Sequence, residues 1–176
     1  MAQPIRVPAT KTFQREKVVF TATIASYLTA LTAAEASAAG NLDISCYLMG
    51  SWGRPTQNTN RVTLNRRLCD GAQYEQIGTT TYTGGDLSYA IATQAAALSD
   101  GKKAYEKFPE GTTGFLIQRL GVNVVTDLAA AQFVNIFPVE FGPQMITVSG
   151  DDEASEAVVM QSFAITAPPK FNLVIT

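Results

Sequence analysis

Four acidic residues stand close together in the C-terminal part of the sequence: Asp151, Asp152, Glu153 and Glu156. Carboxylates at this spacing could attract a cation, but the stretch lacks the alternating ligands and the glycine of a calcium loop. Glu75, Asp127 and Glu140 could in principle act in pairs, as glycosidase carboxylates do, yet no pattern brings two of them together. We therefore interpret the cluster as a solvated turn and expect neither a metal site nor enzyme activity.

Histidine is absent, and cysteine occurs only at Cys46 and Cys69. Without histidine the chain lacks the usual acid/base group near neutral pH and the commonest metal ligand. The two cysteines have neither metal-ligand spacing nor a histidine partner for nucleophilic catalysis. We expect them to be buried, reduced thiols, with a disulfide left open if their strands are neighbours, and we expect no cofactor.

Arg61, Arg66 and Arg67 form the densest positive patch in the sequence. The whole chain has 13 basic and 15 acidic residues, so it lacks the overall positive charge of a DNA-binding protein. Charges often protect a free strand edge, which is our first interpretation, and contact with acidic groups of a partner subunit is the alternative. Trp52 lies upstream, either as an exposed interface anchor or in the core.

The stretch FPEGTTGFLIQRLG, residues 108–121, is the clearest structural signal. Pro109 ends a helix arriving from residue 99, and Gly111 and Gly114 are predicted to take positive φ in a tight turn. Beyond the turn, alternate residues of a strand point to opposite faces, and both faces are largely apolar. The pattern predicts a strand covered on both sides, in the middle of a layered β domain.

Alternation and turn residues place the other elements. Strands are predicted over residues 18–24, 42–49, 79–83, 86–93, 132–141, 145–149, 154–166 and 171–176. Residues 79–83 and 86–93 could be two strands or one bulged strand, and Leu87, Ala90, Ile91 and Leu98 also fit a helix. Pro138 implies an edge or a bulge, and 154–166 is the best candidate for a long hairpin arm. Residues 50–60 are predicted to be a polar loop. Thr32 and Glu35 have capping-box spacing, although a turn is preferred there over a helix at 33–39.

The length of 176 residues fits one β domain, residues 18–176, preceded by an extended arm, residues 1–17. The arm contains two prolines and four basic residues and could order on a neighbouring subunit. Because charged residues make up only 16% of the chain, we expect further surface to be hidden in an oligomer. Threonines interrupt the uncharged run that starts at Val18, so no membrane span is expected.

Six segments in order resemble the tail tube (major tail) proteins of long-tailed phages with non-contractile tails. They are LTAAEASAAGNLDISCYL, RLCD, GGDLSYAIATQ, KAYEKFPEGTTGFLIQRLG, VNIFPVEFGPQ and VVMQSFAITAPP. Each segment alone contains residues that are common in turns and strands of many proteins. Their order and spacing together are specific to this family. The resemblance covers most of the chain from Leu31 to Pro169 and is weakest in the N-terminal arm and the loop 50–60.

The resemblance implies a mainly β, sandwich- or barrel-like fold with one short flanking α-helix. Its subunits would form stacked hexameric rings whose sheets join into a barrel lining a hollow tube. The tube would assemble in the host cytoplasm around a tape-measure protein, meet tail terminator and tail-tip proteins, and conduct genomic DNA without binding it specifically. Residues expected at subunit or ring interfaces are Arg6, Arg15, Trp52, Arg54, Arg61, Arg66 and Arg67. The acidic cluster 151–156 is expected to face the lumen or an adjacent ring.

One rival comes from another class of protein, a monomeric β-sandwich that binds carbohydrate or a receptor. Such a module needs an exposed aromatic platform, for which Trp52, Tyr47, Tyr74 and Tyr82 are the available residues. Self-association distinguishes the two hypotheses.

Overall fold

The computed structural model describes residues 12–50, 52–153 and 155–176. It is mainly β, as predicted, and has two short helical segments in its described part where the sequence indicates one. The strands are β1 (Glu16–Thr21), β2 (Leu42–Asp43), β3 (Thr56–Thr63), β4 (Glu75–Thr83), β5 (Asp86–Ala90), β6 (Thr113–Leu120), β7 (Phe133–Val148), β8 (Ala157–Ile165) and β9 (Lys170–Val174). The helices are α1 (Ala33–Ala36) and α2 (Lys103–Lys107).

Seven strands form one antiparallel sheet in the order β2-β1-β6-β7-β8-β5, with β9 also paired to β7. The other two, β3 and β4, pair only with each other. The large sheet curls into a half-barrel. No helix in the described residues is long and apolar enough to cross a membrane.

Strand β6 lies inside the sheet, between β1 and β7, as the sequence predicts. Its Leu116 belongs to a core cluster on one face, with Phe20, Phe108 and Phe141. Its Ile117 belongs to a second cluster on the opposite face. The prediction that both faces of this strand are covered is therefore confirmed.

The turn before β6 is only partly as predicted. Helix α2 ends at Lys107, with Phe108 as its C-cap, so Pro109 follows the helix end as expected. Gly111 has φ of +79°, but Gly114 is a strand residue without positive φ. Glycine is needed at 114 for space, because a Cβ there would lie 2.5 Å from the ring of Phe20.

The second cluster is closed by the segment that contains α1. Thr32 and Glu35 form the complete capping box, so four residues are helical where we preferred a turn. Leu31 and Ile175 form a parallel bridge that brings the C-terminus under this segment. Both residues are almost fully buried.

Strand β7 is one continuous strand of 16 residues, and the predicted strands 132–141 and 145–149 are its two halves. Its register to β8 shifts between Phe141 and Gln144, which marks a bulge. Pro138 lies where β9 pairing ends and β8 pairing begins. The N–H group that proline lacks would point to the gap between β9 and β8. The proline therefore removes no hydrogen bond from the pairing of β7 with either strand.

Several predicted boundaries are wrong. Strand β1 begins at Glu16, inside the predicted N-terminal arm, and ends at Thr21, with both faces buried. The predicted strand 42–49 is paired as β2 for two residues only and then turns, which leaves Cys46 exposed. Cys69 is exposed too, so neither thiol is a core group, and both are free. Residues 1–11 of the predicted N-terminal arm lie outside the described residues.

Candidate assembly surfaces

The hairpin of β3 and β4 is a two-stranded arm, which we call the arm (residues 56–83). Among the strands of the described residues, β3 and β4 pair only with each other. None of its residues is buried, so it stands clear of the body of the protein. The segment was predicted to start as a polar loop, because a strand solvated on both faces has no apolar alternation to detect.

The two halves of the arm differ in chemistry. Near the body, the paired positions are mostly threonine, asparagine and glutamine, such as Thr59 opposite Thr80. Beyond the register shift, arginines and exposed apolar side chains appear together. The apolar ones are Val62, Leu64, Leu68, Tyr74 and Ile77. The distal half (residues 61–77), which we call the arm tip, therefore combines positive charge with exposed apolar side chains.

The three arginines of the arm tip have different partners. Arg61 lies 4.0 Å from Glu75 across the hairpin. Arg66 donates through Nε to the main-chain oxygen of Asp70 at 2.9 Å. The main-chain N–H of Arg67 donates to Asp70 Oδ2 at 2.8 Å. Within the described residues, neither the Arg66 nor the Arg67 guanidinium forms an ion pair with a carboxylate.

The base of the arm is fixed to the sheet through Glu16. Its carboxylate accepts hydrogen bonds from Trp52 Nε1 at 3.3 Å, Arg54 Nε at 3.1 Å and Gln118 Nε2 at 2.7 Å. The Arg54 guanidinium also stacks 5.7 Å from the centre of the Trp52 ring. Burial raises the pKa of Glu16, but these hydrogen bonds and the Arg54 charge outweigh it and hold the pKa below 4.5.

Trp52 is 4% exposed and packs in the first core cluster, so it is not an exposed anchor on the single chain. Tyr82 packs against Phe171, with ring centres 6.4 Å apart. Tyr74 lies far along the arm in the distal half. The aromatic residues considered for a carbohydrate-binding platform are therefore not gathered on one surface.

The hairpin of β7 and β8 ends in the acidic turn, and we call residues 145–157 the hairpin tip. Asp151, Asp152, Glu153 and Glu156 are all exposed there, as a solvated turn requires. Met145, Ile146 and Val148 are exposed beside them. In the described ranges, no group of three or more His, Cys, Asp and Glu side chains could hold a metal ion.

The outer half of β7 has a free main-chain edge. Residues Gln144 to Val148 pair with β8 on one side, while β6 pairing stops at Glu140. Ser149 N donates to Glu156 O across the hairpin, so by alternation the N–H groups of Ile146 and Val148 point away from β8. Among the described residues no strand occupies that side, which makes it a place for strand addition.

The remaining predicted interface residues are spread over the chain. Arg15 is exposed beside β1, where its NH1 approaches the oxygen of Gly121 at 3.4 Å. Arg6 lies outside the described residues. Pattern reasoning missed the Glu16 contacts and the exposed apolar residues of the two tips, because isolated residues in polar or alternating segments give no distinctive spacing.

The comparisons with known proteins agree with this architecture. A family model described as phage tail tube protein matches residues 1–176. The chain belongs to the phage tail tube protein family. As a tail tube protein it is a structural component of the phage tail, and its role is self-assembly into a tube.

Two solved structures are similar to this tail tube protein. A chain of the anti-feeding prophage (AFP) baseplate, a 6-fold symmetrised cryo-EM structure, matches with TM-score 0.52 and 9% identity, covering 97% of this chain and 99% of that chain. A chain of the SPP1 tail tube, a hybrid solid-state NMR and cryo-EM structure, gives TM-score 0.46 and 13% identity, covering 93% and 79%. The AFP likeness shows a shared fold. No curated protein matches by sequence.

Proposed function

We propose that six copies of the chain form a ring by strand addition at the free edge of β7, and that stacked rings make the tube of a long, non-contractile tail. The observation that supports this most directly is the edge itself, with the outward N–H groups of Ile146 and Val148. An exposed, partly apolar strand edge is a template for another strand, and closure into a barrel is one way to remove it. The match to the tail tube family supports the same assembly.

We propose that the lumen wall is the outward face of β5, β8 and the part of β7 that runs from Glu140 to Val148. Register partners share a face of the sheet, and the exposed members here are Asp86 with Ser162, Met145 with Met160, and Glu140 with Ala164. These side chains are small, apolar or acidic, with no lysine or arginine among them. Lysine or arginine side chains on the wall would bind DNA phosphates, and these contacts would have to break each time the DNA moved forward. A wall without them therefore favours sliding of DNA.

The proposed partners follow from the tube. They are further copies of the chain, a tape-measure protein that sets the length, terminator and tail-tip proteins at the ends, and DNA that passes without specific binding. Assembly is proposed to take place in the host cytoplasm before the tail joins the virion. In this proposal the chain works as a wall and catalyses nothing.

Electron microscopy of the purified protein over a range of concentrations tests the assembly. Hollow tubes of uniform width with six-fold end views are the expected result. Rings with another symmetry would contradict the hexamer, and a chain that stays monomeric even with tail-tip proteins present would contradict self-assembly.

The edge itself is tested by Ile146→Pro, which removes an outward N–H, against Ile146→Thr, which keeps it. Strand addition requires that donor, so the proline variant should remain a folded monomer while the threonine variant assembles. Circular dichroism establishes that both variants are folded. If the proline variant formed normal tubes, the proposed edge contact would be wrong.

A further inference from the structure

We infer that the arm tip of one copy docks on the hairpin tip of a second copy, head to tail along the tube. The inference rests on the proposed function, since it specifies how successive rings are joined. It names which of the chain's charged residues meet across that contact: Arg66 and Arg67 on one side, and Asp151, Glu153 and Glu156 on the other.

The base of the arm and the hairpin tip lie at opposite ends of strand β8. The base of the arm is attached at one end, where Phe163 N donates to Gly85 O at 3.0 Å. The acidic turn comes at the other end, just before Ala157. Nine residues of β8 at about 3.3 Å each separate the ends by roughly 30 Å. A contact between the arm tip and the hairpin tip is therefore expected between two different copies of the chain rather than within one copy.

Charge is complementary between the two tips. The guanidinium groups of Arg66 and Arg67 form no ion pair with a carboxylate among the described residues. The exposed turn on the other tip carries four carboxylates within six residues, and no lysine or arginine lies between Gln144 and Gln161. Such an arrangement steers association and fixes which surfaces meet.

Both tips also expose apolar side chains that a contact would cover. Leu68 is fully exposed at the end of the arm, and Ile77 is 68% exposed. On the other tip Ile146 and Val148 are exposed beside the acidic turn. A groove of about 420 Å³ runs next to Glu156 and Ala157, lined by Tyr47, Ala90, Ile91, Ala92 and Gly101. This groove is large enough to accept a leucine side chain.

The geometry of the pairing determines the kind of assembly. Different surfaces meet, so the contact is heterologous, and a heterologous contact that does not close generates a filament. The arm strands of eight and nine residues reach about 26 Å from the body. The arm can therefore bridge to the next ring, while its polar proximal half spans the distance.

Charge exchange tests the pairing. Arg66→Glu with Arg67→Glu should raise the protein concentration needed for tube formation by more than about tenfold. Asp151→Arg with Glu153→Arg should do the same. The chain that carries all four changes should assemble again, because the attraction is restored with opposite sign. The matched control, Arg66→Lys with Arg67→Lys, keeps the charge and should assemble like the unaltered chain.

The outcomes separate the inference from the proposed function. Normal assembly of the arginine-reversed chain, or failure of the fourfold variant to recover, would overturn the pairing while tubes of the unaltered chain still support the function. If the unaltered chain itself formed no tubes, the proposed function would fail first. Circular dichroism confirms folding of each variant, which the full exposure of these side chains leads us to expect.

The native Cys69 on the arm tip provides a second, independent measurement. In a chain with Cys46→Ser and Glu153→Cys, mild oxidation of assembled tubes should link Cys69 of one copy to position 153 of the next. Each copy then has two linkage points, so a non-reducing gel should show a ladder extending well beyond the dimer. The Cys46→Ser chain alone is the control and should give no ladder. Intact tubes without cross-links would contradict the docking geometry.

Discussion

Arg54 Nε lies 3.1 Å from Glu16 Oε1, and this contact joins the base of the arm to the first strand of the sheet. The same carboxylate oxygen receives Gln118 Nε2 of β6 at 2.7 Å. One partly buried carboxylate thus connects β1, β6 and the segment entering the arm. At the other strand of the arm, Tyr82 packs against Phe171 and Phe163 N donates to Gly85 O, so the base is held on both sides.

Glu16→Gln should lower the free energy of unfolding at pH 7 by about 1 to 3 kcal/mol, since it weakens charge-assisted hydrogen bonds. The pKa of Glu16 is held below its ordinary value of 4.5, so its stabilisation is complete above pH 4.5 and is lost as the pH falls through the folded-state pKa. The difference between the two chains should therefore narrow progressively as the pH falls below 4.5. Denaturant titrations at a series of pH values from 7 down to 2 measure it, with the exposed Glu153→Gln as control; a gap of constant size over that range would contradict the account.

Gly114→Ala should destabilise the fold by about 1 to 3 kcal/mol through overpacking. A Cβ at this position would lie 2.5 Å from the Phe20 ring and 2.7 Å from the oxygen of Thr21, both in the first strand. Gly40→Ala is the control, because a Cβ there meets nothing within 4 Å. Thermal unfolding compares the two, and equal melting temperatures would show that β1 and β6 can separate without cost.

Arg119→Met should loosen the loop that follows β6. The guanidinium is almost fully buried and donates to the main-chain oxygens of Asp127 at 2.9 Å and Asn123 at 2.8 Å. Its removal takes a charged donor from each oxygen, while Thr126 N still donates to Asn123 O at 3.0 Å and Gln132 Nε2 to Asp127 O at 3.4 Å. The expected loss is therefore about 1 to 3 kcal/mol in total. Hydrogen exchange of the amides in residues 121–132 should accelerate, whereas Arg61→Met, on the exposed arm, should leave them unchanged. Unaltered exchange in the Arg119 variant would mean that the loop is held by its apolar contacts.

The parts of this fold that could be predicted from the sequence are those where burial imposes a period. Strand β6 and the hairpin of β7 and β8 have apolar residues at strand spacing, and both were predicted. Of the arm, only residues 79–83 of β4 were predicted as a strand, because a strand with two solvated faces needs no apolar alternation. Cys46 was placed in a strand by its neighbours Ile44 and Leu48, yet hydrogen bonds within residues 44–48 close a turn there. The surfaces that we assign to assembly are the ones that the sequence identifies least.

Tyr89→Phe should weaken the support beneath the bulge of β7. The Tyr89 hydroxyl donates to Gln161 Oε1 at 3.1 Å and accepts from Gln144 Nε2 at 2.9 Å, and Gln144 is the first residue after the bulge to pair with β8. Losing both hydrogen bonds should cost about 1 to 2 kcal/mol at pH 7.

The pH dependence of this loss identifies its cause. Burial raises the pKa of Tyr89 to about 12 from an ordinary value of 10.0. A raised folded-state pKa gives stability that is complete below pH 10 and is lost as the pH rises toward 12, because the unfolded chain releases its proton first. Between pH 9 and pH 11.5 the unaltered chain should therefore lose more stability than Tyr89→Phe, as measured by denaturant midpoints. Parallel losses in the two chains would show that the Tyr89 hydroxyl does not carry the alkaline sensitivity, and Tyr74→Phe, on the exposed arm, is the control for general tyrosine ionisation.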